Sequence, residues 1–388
     1  MPFARPHTAP HNDLFSRPAP PQMRDKKNIA ALTSIRGLAA WWVVLFHFRE
    51  YLPLDDVRPL GRFLAHGYLA VDLFFILSGF VIFLNYGSHF ETLTRQSLGR
   101  FFVARFARIY PLHAFMMLAF LVNPLAQAFF SSSGYVDFVR YNPIYFLLSL
   151  LLVQNWGFPF PLAWNIPAWS ISTEAFAYLL FPAFAYLVSK SSPRPLAMTG
   201  FSIVPLFALA GLYYATGQPS LGSGISSYGL LRCCLEFLVG ASLCRIYLNG
   251  QMTFRWWPAL FFTGFLALVA LYNFAPVTDY LVMPTAFALL ILCLALASEG
   301  AVPLLNDRVL VFLGTISYST YLAHYFILDW VKFLFVQNDD PPLSVGIIFV
   351  AATLAASIIL HFYVEIPGRR LLAGKLRGKP VPIFESSR

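Results

Sequence analysis

Charge is what this sequence has least of. Only 12% of its 388 residues are Asp, Glu, Lys or Arg, about half of what a soluble domain carries. A soluble globular enzyme is therefore excluded, and 58% hydrophobic residues in long continuous runs point to a polytopic α-helical membrane protein. The runs are too long and too uniform for the short alternating strands of a β-barrel. Cysteine is also scarce. Cys233, Cys234, Cys244 and Cys293 all lie inside apolar runs, make no metal-ligand spacing and imply no disulfide framework. No metal is expected. No apolar stretch with a small-residue cleavage site follows the first charges, so the N-terminus does not read as a signal peptide. The net charge of +9 sits largely in the two tails and a few short loops, which fits anchoring at one membrane face and not nucleic-acid binding.

Eleven apolar runs are present, at about 30–52, 67–86, 107–130, 143–156, 167–188, 196–215, 228–248, 256–274, 279–298, 309–336 and 343–364. Residues 1–27 read as a disordered polar tail, 28–371 as the transmembrane domain and 372–388 as a basic tail, with no soluble domain appended. Arg95, Arg100, Arg105 and Arg108 after the second run, and the basic residues of both tails, belong on the cytoplasmic side. Two termini on one side require an even number of spans. The run 143–156 is the shortest and suits a re-entrant or interfacial segment, which leaves ten transmembrane helices. Lys190, Arg194, Arg245, Arg255 and Arg308 then fall inside, and Asp279, Asp339 and Asp340 outside.

The polar residues within these runs carry the functional signal. In TSIRGLAAWWVVLFHF (33–48), Arg36 and His47 are eleven residues apart, on one helical face and roughly 16 Å apart along the axis. Intramembrane ionisable groups mark sites or pathways by default, although an arginine that snorkels and a satisfied histidine are the bland alternatives. Asp72 lies near the outer start of the second helix, at a depth similar to His47. A carboxylate on one imidazole nitrogen fixes the tautomer and raises the basicity of the other, so Asp72 is expected to orient His47 as a general base. Arg105 and Arg108 share a face and suit phosphate oxygens, although ordinary positive-inside anchoring explains them as well. Ser170, Glu174 and Tyr178 form a stripe at four-residue spacing. Ser317, Tyr321 and His324 share a face of an otherwise apolar helix, which suggests a lined cavity. Arg232 and Glu236 read as an i, i+4 salt bridge, and Glu365 as a partner of Arg369 or Arg370.

Taken together these segments resemble the acyltransferase family 3 membrane proteins. Arg36 and His47, with ten residues between them, are similar to that family's arginine–histidine motif. GYLAVDLFFILSGFVI (67–82) is similar to its second helix, RFAR (105–108) to its paired arginines and WSISTEAF (169–176) to its Trp-Ser-x-Ser-x-Glu stretch. SYSTYLAHY (317–325) and VEIPGRR (364–370) are similar to its last two helices. Thr173 and Ala175 depart from the residues common around the glutamate, without touching a presumed catalytic atom. The extracytoplasmic hydrolase-like domain of some members is not expected here. The resemblance implies transfer of an acyl group, acetyl above all, from cytoplasmic acyl-CoA as co-substrate to a hydroxyl of a carbohydrate such as an exopolysaccharide, O-antigen or lipid-linked glycan. No permanently bound cofactor is implied. It assigns catalysis to His47, Asp72 and Glu174, with His47 as base or transient acyl carrier. Arg36, Arg105 and Arg108 fall to coenzyme A, and Ser170, Tyr321 and His324 to substrate. A bacterial inner-membrane enzyme with both termini cytoplasmic is the expectation. The alternatives are a secondary transporter of a small anionic solute, against which the arginine pairs at one face and the lack of an internal repeat speak, and a non-catalytic scaffold.

Overall fold

A computed structural model describes residues 29–52, 58–130, 136–190, 195–250, 252, 254–297, 301–336 and 342–375. The two tails read from the sequence as disordered and basic lie outside the described residues, except for the stretch up to Lys375. Within the described residues there is helix, turn and coil but no strand. The helices are α1 (Ala30–Phe48), α2 (Arg58–Ala65), α3 (Ala70–Tyr86), α4 (Arg95–Phe120), α5 (Val122–Phe130), α6 (Pro143–Leu150) and α7 (Trp169–Lys190). They continue with α8 (Pro195–Ala215), α9 (Ile225–Leu248), α10 (Trp257–Phe274), α11 (Asp279–Leu296), α12 (Arg308–Phe335), α13 (Leu343–Leu360) and α14 (Ile366–Lys375).

Seven of these segments are long and apolar enough to cross a membrane. They contain α1, α3, α4, α7, α10, α11 and α13. The ten spans expected from the charge pattern would also include α8, α9 and α12, which are long but do not meet that measure. In α9 and α12 embedded polar groups dilute the apolar character, Arg232, Glu236 and Arg245 in one and Ser317, His324, Asp329 and Lys332 in the other. The apolar stretch of α8, Thr199–Ala215, is short. Large exposed side chains such as Phe207, Phe274, Ile347 and Tyr363 cover the outside, and α10 has no buried residue at all. In water such a surface would aggregate; facing acyl chains it is the expected exterior. The chain is a multi-pass membrane protein.

Lipid gives helices little hydrophobic reason to associate, so close backbone packing at small residues decides which helices touch. Two such crossings organise this bundle. At Gly37 and Gly314, α1 and α12 meet so closely that a Cβ on Gly314 would overlap the carbonyl of Thr33. At Gly79 and Gly240, α3 and α9 meet in the same way, and a Cβ on Gly240 would overlap the carbonyl of Ile76. The first pair runs parallel. Ser34 donates to the Leu305 carbonyl at 2.6 Å just before α12 begins, Arg36 reaches Gly314, and His47 meets His324.

The short run behaves as its length indicates. Helix α6 starts at Pro143, with the side chain of Asn142 accepting from the amides of Ile144 and Tyr145, and lasts only 8 residues. The return to α7 is irregular, with Leu152 and Trp164 at positive φ of 61° and 55°. Non-helical backbone at membrane depth is tolerated only where protein satisfies it. Here Ser172 does much of that. Its hydroxyl donates to the Leu152 carbonyl at 2.9 Å and accepts from the Asn155 amide at 3.2 Å, while Trp156 donates to the Ser172 carbonyl at 2.9 Å. Gln154 donates to the Ala168 carbonyl at 3.1 Å. This re-entrant segment fixes the start of α7, and with it Ser170 and Glu174.

One boundary differs from expectation. Arg95, Arg100 and Arg105, read as a loop, belong to α4, which begins a full twelve residues before the apolar run. Thr94 and Ser97 form a reciprocal cap there, so the helix is set by its N-terminal hydrogen bonds and not by hydropathy. The four cysteines are free and buried.

Candidate active site

Inside the bundle, α1, α3, α4, α7 and α12 enclose a cavity of about 150 Å³. Six of the nine residues singled out from the sequence line it: Arg36, Arg105, Arg108, Ser170, Glu174 and Tyr321. His47, Asp72 and His324 do not.

Each arginine is held differently. The close approach at Gly314 lets Arg36 donate from Nε and Nη2 to the Gly314 carbonyl, at 3.1 and 2.6 Å, and from Nε to the Ser317 hydroxyl at 3.0 Å. Arg105 lies over the ring of Tyr86, 5.0 Å from its centroid, and donates to the Tyr86 hydroxyl at 3.2 Å. Its buried Nε has no hydrogen-bond partner among the described residues. Arg108 pairs with Glu365 and lies over the ring of Tyr318 at 5.3 Å. Glu365, expected to pair with Arg369 or Arg370, turns across to Arg108 of α4 and also accepts from Ser319 at 2.8 Å and His361 at 2.9 Å. The cause is a π turn over His361–Glu365 together with Gly368, which packs its backbone against the ring of Pro111 in α4.

Glu174 accepts from Ser78 and, at 2.7 Å, from Tyr178. Three guanidinium groups therefore face two carboxylates, Glu174 in the cavity and Glu365 at its edge, and the interior keeps an excess of cation with unused donors. Such an enclosure favours a phosphate-bearing or otherwise anionic guest. Ser170 and Tyr321 close the end remote from Arg108. Their hydroxyls are 2.8 Å apart, within hydrogen-bond distance of each other, and both lie 3.1 Å from the Pro167 carbonyl, to which either can donate. One turn past Tyr321 comes His324, its ring centroid 5.1 Å from that of His47.

Asp72 is the clear correction. It does not reach His47. Both its oxygens are taken by Arg232, at 2.6 and 2.7 Å, and the third guanidinium nitrogen donates to the Leu221 carbonyl at 2.5 Å. The α3–α9 crossing explains this, because Asp72 and Gly79 are two turns apart on α3 and Arg232 and Gly240 about two turns apart on α9. The crossing that joins the glycines also joins the ions. Arg232 is consequently not the i, i+4 partner of Glu236, whose buried carboxylate oxygens find no partner among the described residues. Sequence reasoning also passed over Ser78 and Tyr318, both in the cavity wall. The available signals were that Ser78 stands alone in an apolar stretch of α3 and that Tyr318 belongs to the hydroxyl-rich stretch SYSTY (317–321).

A bundle of apolar helices around a cavity lined by three arginines and a glutamate, with a histidine pair one turn beyond Tyr321, defines an integral membrane protein with a candidate site for an anionic guest. Residues 29–362 match the family described as Acyltransferase domain, and the chain belongs to that family of acyl-transferring enzymes. It is 28% identical over 387 residues to Acyltransferase MdmB of Streptomyces mycarofaciens, covering 91% of this chain and 94% of that one. It is 23% identical over 375 residues to O-acetyltransferase OatA of Staphylococcus aureus (strain NCTC 8325 / PS 47), covering 90% of this chain but 58% of that one. With Peptidoglycan O-acetyltransferase OatA of Listeria monocytogenes the identity is 24% over 377 residues, covering 89% and 56% respectively. The chain thus spans little more than half the length of the two OatA proteins. No solved structure matches.

Proposed function

We propose that this acyltransferase moves an acyl group, acetyl above all, from acyl-CoA to a hydroxyl of a cell-envelope carbohydrate. The observation that carries the proposal is the cavity itself. It has arginines at one end, paired hydroxyls at the other, and a histidine pair one helical turn further on. The names of the OatA relatives, O-acetyltransferases of which one is assigned to peptidoglycan, support the choice of acetyl and of a glycan hydroxyl.

In this reading the phosphates of coenzyme A take the free donors of Arg36 and Arg105, with Arg108 held in place by Glu365. The pantetheine arm then carries the thioester along the cavity toward Tyr321. His47 removes the proton of the acceptor hydroxyl as its oxygen attacks the thioester carbonyl. The carbon–sulfur bond breaks, the thiolate leaves, and the proton returns from His47 to sulfur, giving an ester and free CoA. Glu174 balances the arginines and orders Ser78 and Tyr178. The donor enters from the cytoplasmic face at which α4 begins, in a bacterial inner membrane with both termini inside.

The test is release of free thiol from acetyl-CoA by protein purified into lipid nanodiscs, with chitotetraose as a soluble sugar acceptor. The wild type is expected to turn over. His47→Ala is expected to lose ~100-fold or more of the rate, the usual contribution of a positioned base. Near-normal turnover by a monodisperse His47→Ala protein would end the proposal.

A further inference from the structure

Asp72 is committed to Arg232, so the imidazole of His47 needs another group to fix its proton. The surroundings of His47 supply one. Its Nδ1 lies 2.9 Å from the carbonyl of Val43, one turn back on α1. A carbonyl only accepts, so Nδ1 carries the hydrogen. The same reasoning applies to fully buried His324, whose Nδ1 lies 2.7 Å from the carbonyl of Tyr321. With its hydrogen on Nδ1, neutral His324 presents a lone pair at Nε2. That lone pair is 3.4 Å from Nδ1 of His47. The hydrogen of His47 Nδ1 is thus shared between two acceptors, Val43 on its own helix and His324 on the next, and Nε2 of His47 is left bare as the basic atom.

We infer that His324 is a positioning residue for His47, set on a parallel helix to hold its Nδ1 hydrogen as a carboxylate does in a serine–histidine–aspartate triad. This inference rests on the proposed acyl transfer and replaces the expectation that His324 touches substrate. When His47 takes a proton at Nε2, the imidazolium keeps two acceptors on the opposite nitrogen, and no second negative charge has to be buried to stabilise it. The register is built into the fold. His47 follows Gly37 by ten residues and His324 follows Gly314 by ten, so the glycine contact that joins the two parallel helices also brings the imidazoles to one level. Among the described residues, the following groups adjoin the pair. Tyr325 of α12 meets His47 edge-on at 5.3 Å, Arg140 packs on Tyr325 at 5.0 Å, and Phe46 and Arg49 flank His47 along its own chain. Among these neighbours there is no carboxylate to perform the same service.

Three proteins test the inference: wild type, His324→Leu and His324→Gln, whose side-chain oxygen accepts where Nε2 did. All are assayed with acetyl-CoA and chitotetraose, and each is first shown to bind coenzyme A. The expected result for His324→Leu is a kcat lower by ~10-fold or more with KM for both substrates unchanged, a fraction of what removing the base itself costs. His324→Gln is expected to recover most of that loss. A raised KM for the sugar at unchanged kcat, or a glutamine variant as poor as the leucine one, would overturn it. A second measurement needs no active variant. In wild-type protein labelled with ¹⁵N-histidine, the His47 signals, identified by their loss in His47→Gln, are expected to show a protonated Nδ1 and a bare Nε2. A bare Nδ1 would also overturn the inference. A wild type that binds no coenzyme A but shows the expected tautomer would count against the acyl-CoA reading and not against the histidine pair.

Discussion

Two groups of charges lie within this bundle, a few turns apart, and their hydrogen bonds set them apart. Around Arg232 every guanidinium nitrogen has a partner, Asp72 is matched oxygen for nitrogen, and the pair is 1% and 0% exposed. The Asp72–Arg232 pair keeps no free donor for a guest. Around Arg105 a buried Nε has no partner among the described residues, and the guanidinium borders a cavity of about 150 Å³. Burying charge is costly in both places. In the first the cost is met inside the protein, and the result is a structural clamp between α3 and α9. In the second the donors remain available, which is the condition for a guest. An intramembrane ion is therefore not a site because it is charged; it is a site when its donors are unspent.

That contrast can be broken from either side. The largest effect is expected from Arg232→Leu, which strands Asp72 in the apolar core and should destabilise the fold by about 3–5 kcal/mol, as breaking one partner of a buried pair does. It would be read as a lower unfolding temperature in nanodiscs and a smaller yield of monodisperse protein. Combining it with Asp72→Leu should restore much of that loss, since both ions are then gone. Next comes Gly314→Leu, which forces α12 away from Thr33 and with it Arg36 and His324; loss of turnover is expected together with a lower unfolding temperature. Arg105→Ala should do the opposite of Arg232→Leu. A shift of about 1.4 kcal/mol in binding is tenfold, and a rise of that order in the acetyl-CoA concentration needed is expected with little change in unfolding temperature. Tyr178→Phe should have the smallest effect. It removes one hydrogen bond to Glu174, and a loss of about 1 kcal/mol would appear as a few-fold change in kcat/KM.

Much of this was legible in the sequence because it depends on local spacing. The apolar runs, the short run that does not span, the Arg36–His47 stripe and the Ser170–Glu174–Tyr178 stripe all follow from helical periodicity and length. The failures share a cause. Asp72 and Arg232 are 160 residues apart, and only the crossing at Gly79 and Gly240 makes them neighbours. Glu236 is four residues from Arg232, a spacing that promises a salt bridge, yet the tertiary contact claims the guanidinium first. Glu365 likewise has arginines close by in sequence, but a π turn and the Gly368–Pro111 contact deliver it to Arg108. The pairing of His47 with His324 was missed because it depends on the parallel register of α1 and α12, which two glycines set and hydropathy does not reveal.

In the proposed acyl transfer the open arginines receive the donor and the closed one does not. Titration of coenzyme A into the nanodisc-held protein tests it most directly, with wild type, Arg105→Ala and the double variant Asp72→Leu/Arg232→Leu side by side. Saturable binding is expected of wild type, binding weakened about tenfold of Arg105→Ala, and wild-type affinity of whatever fraction of the double variant is folded. Equal affinity in wild type and Arg105→Ala, or no binding by a folded wild type, would contradict it.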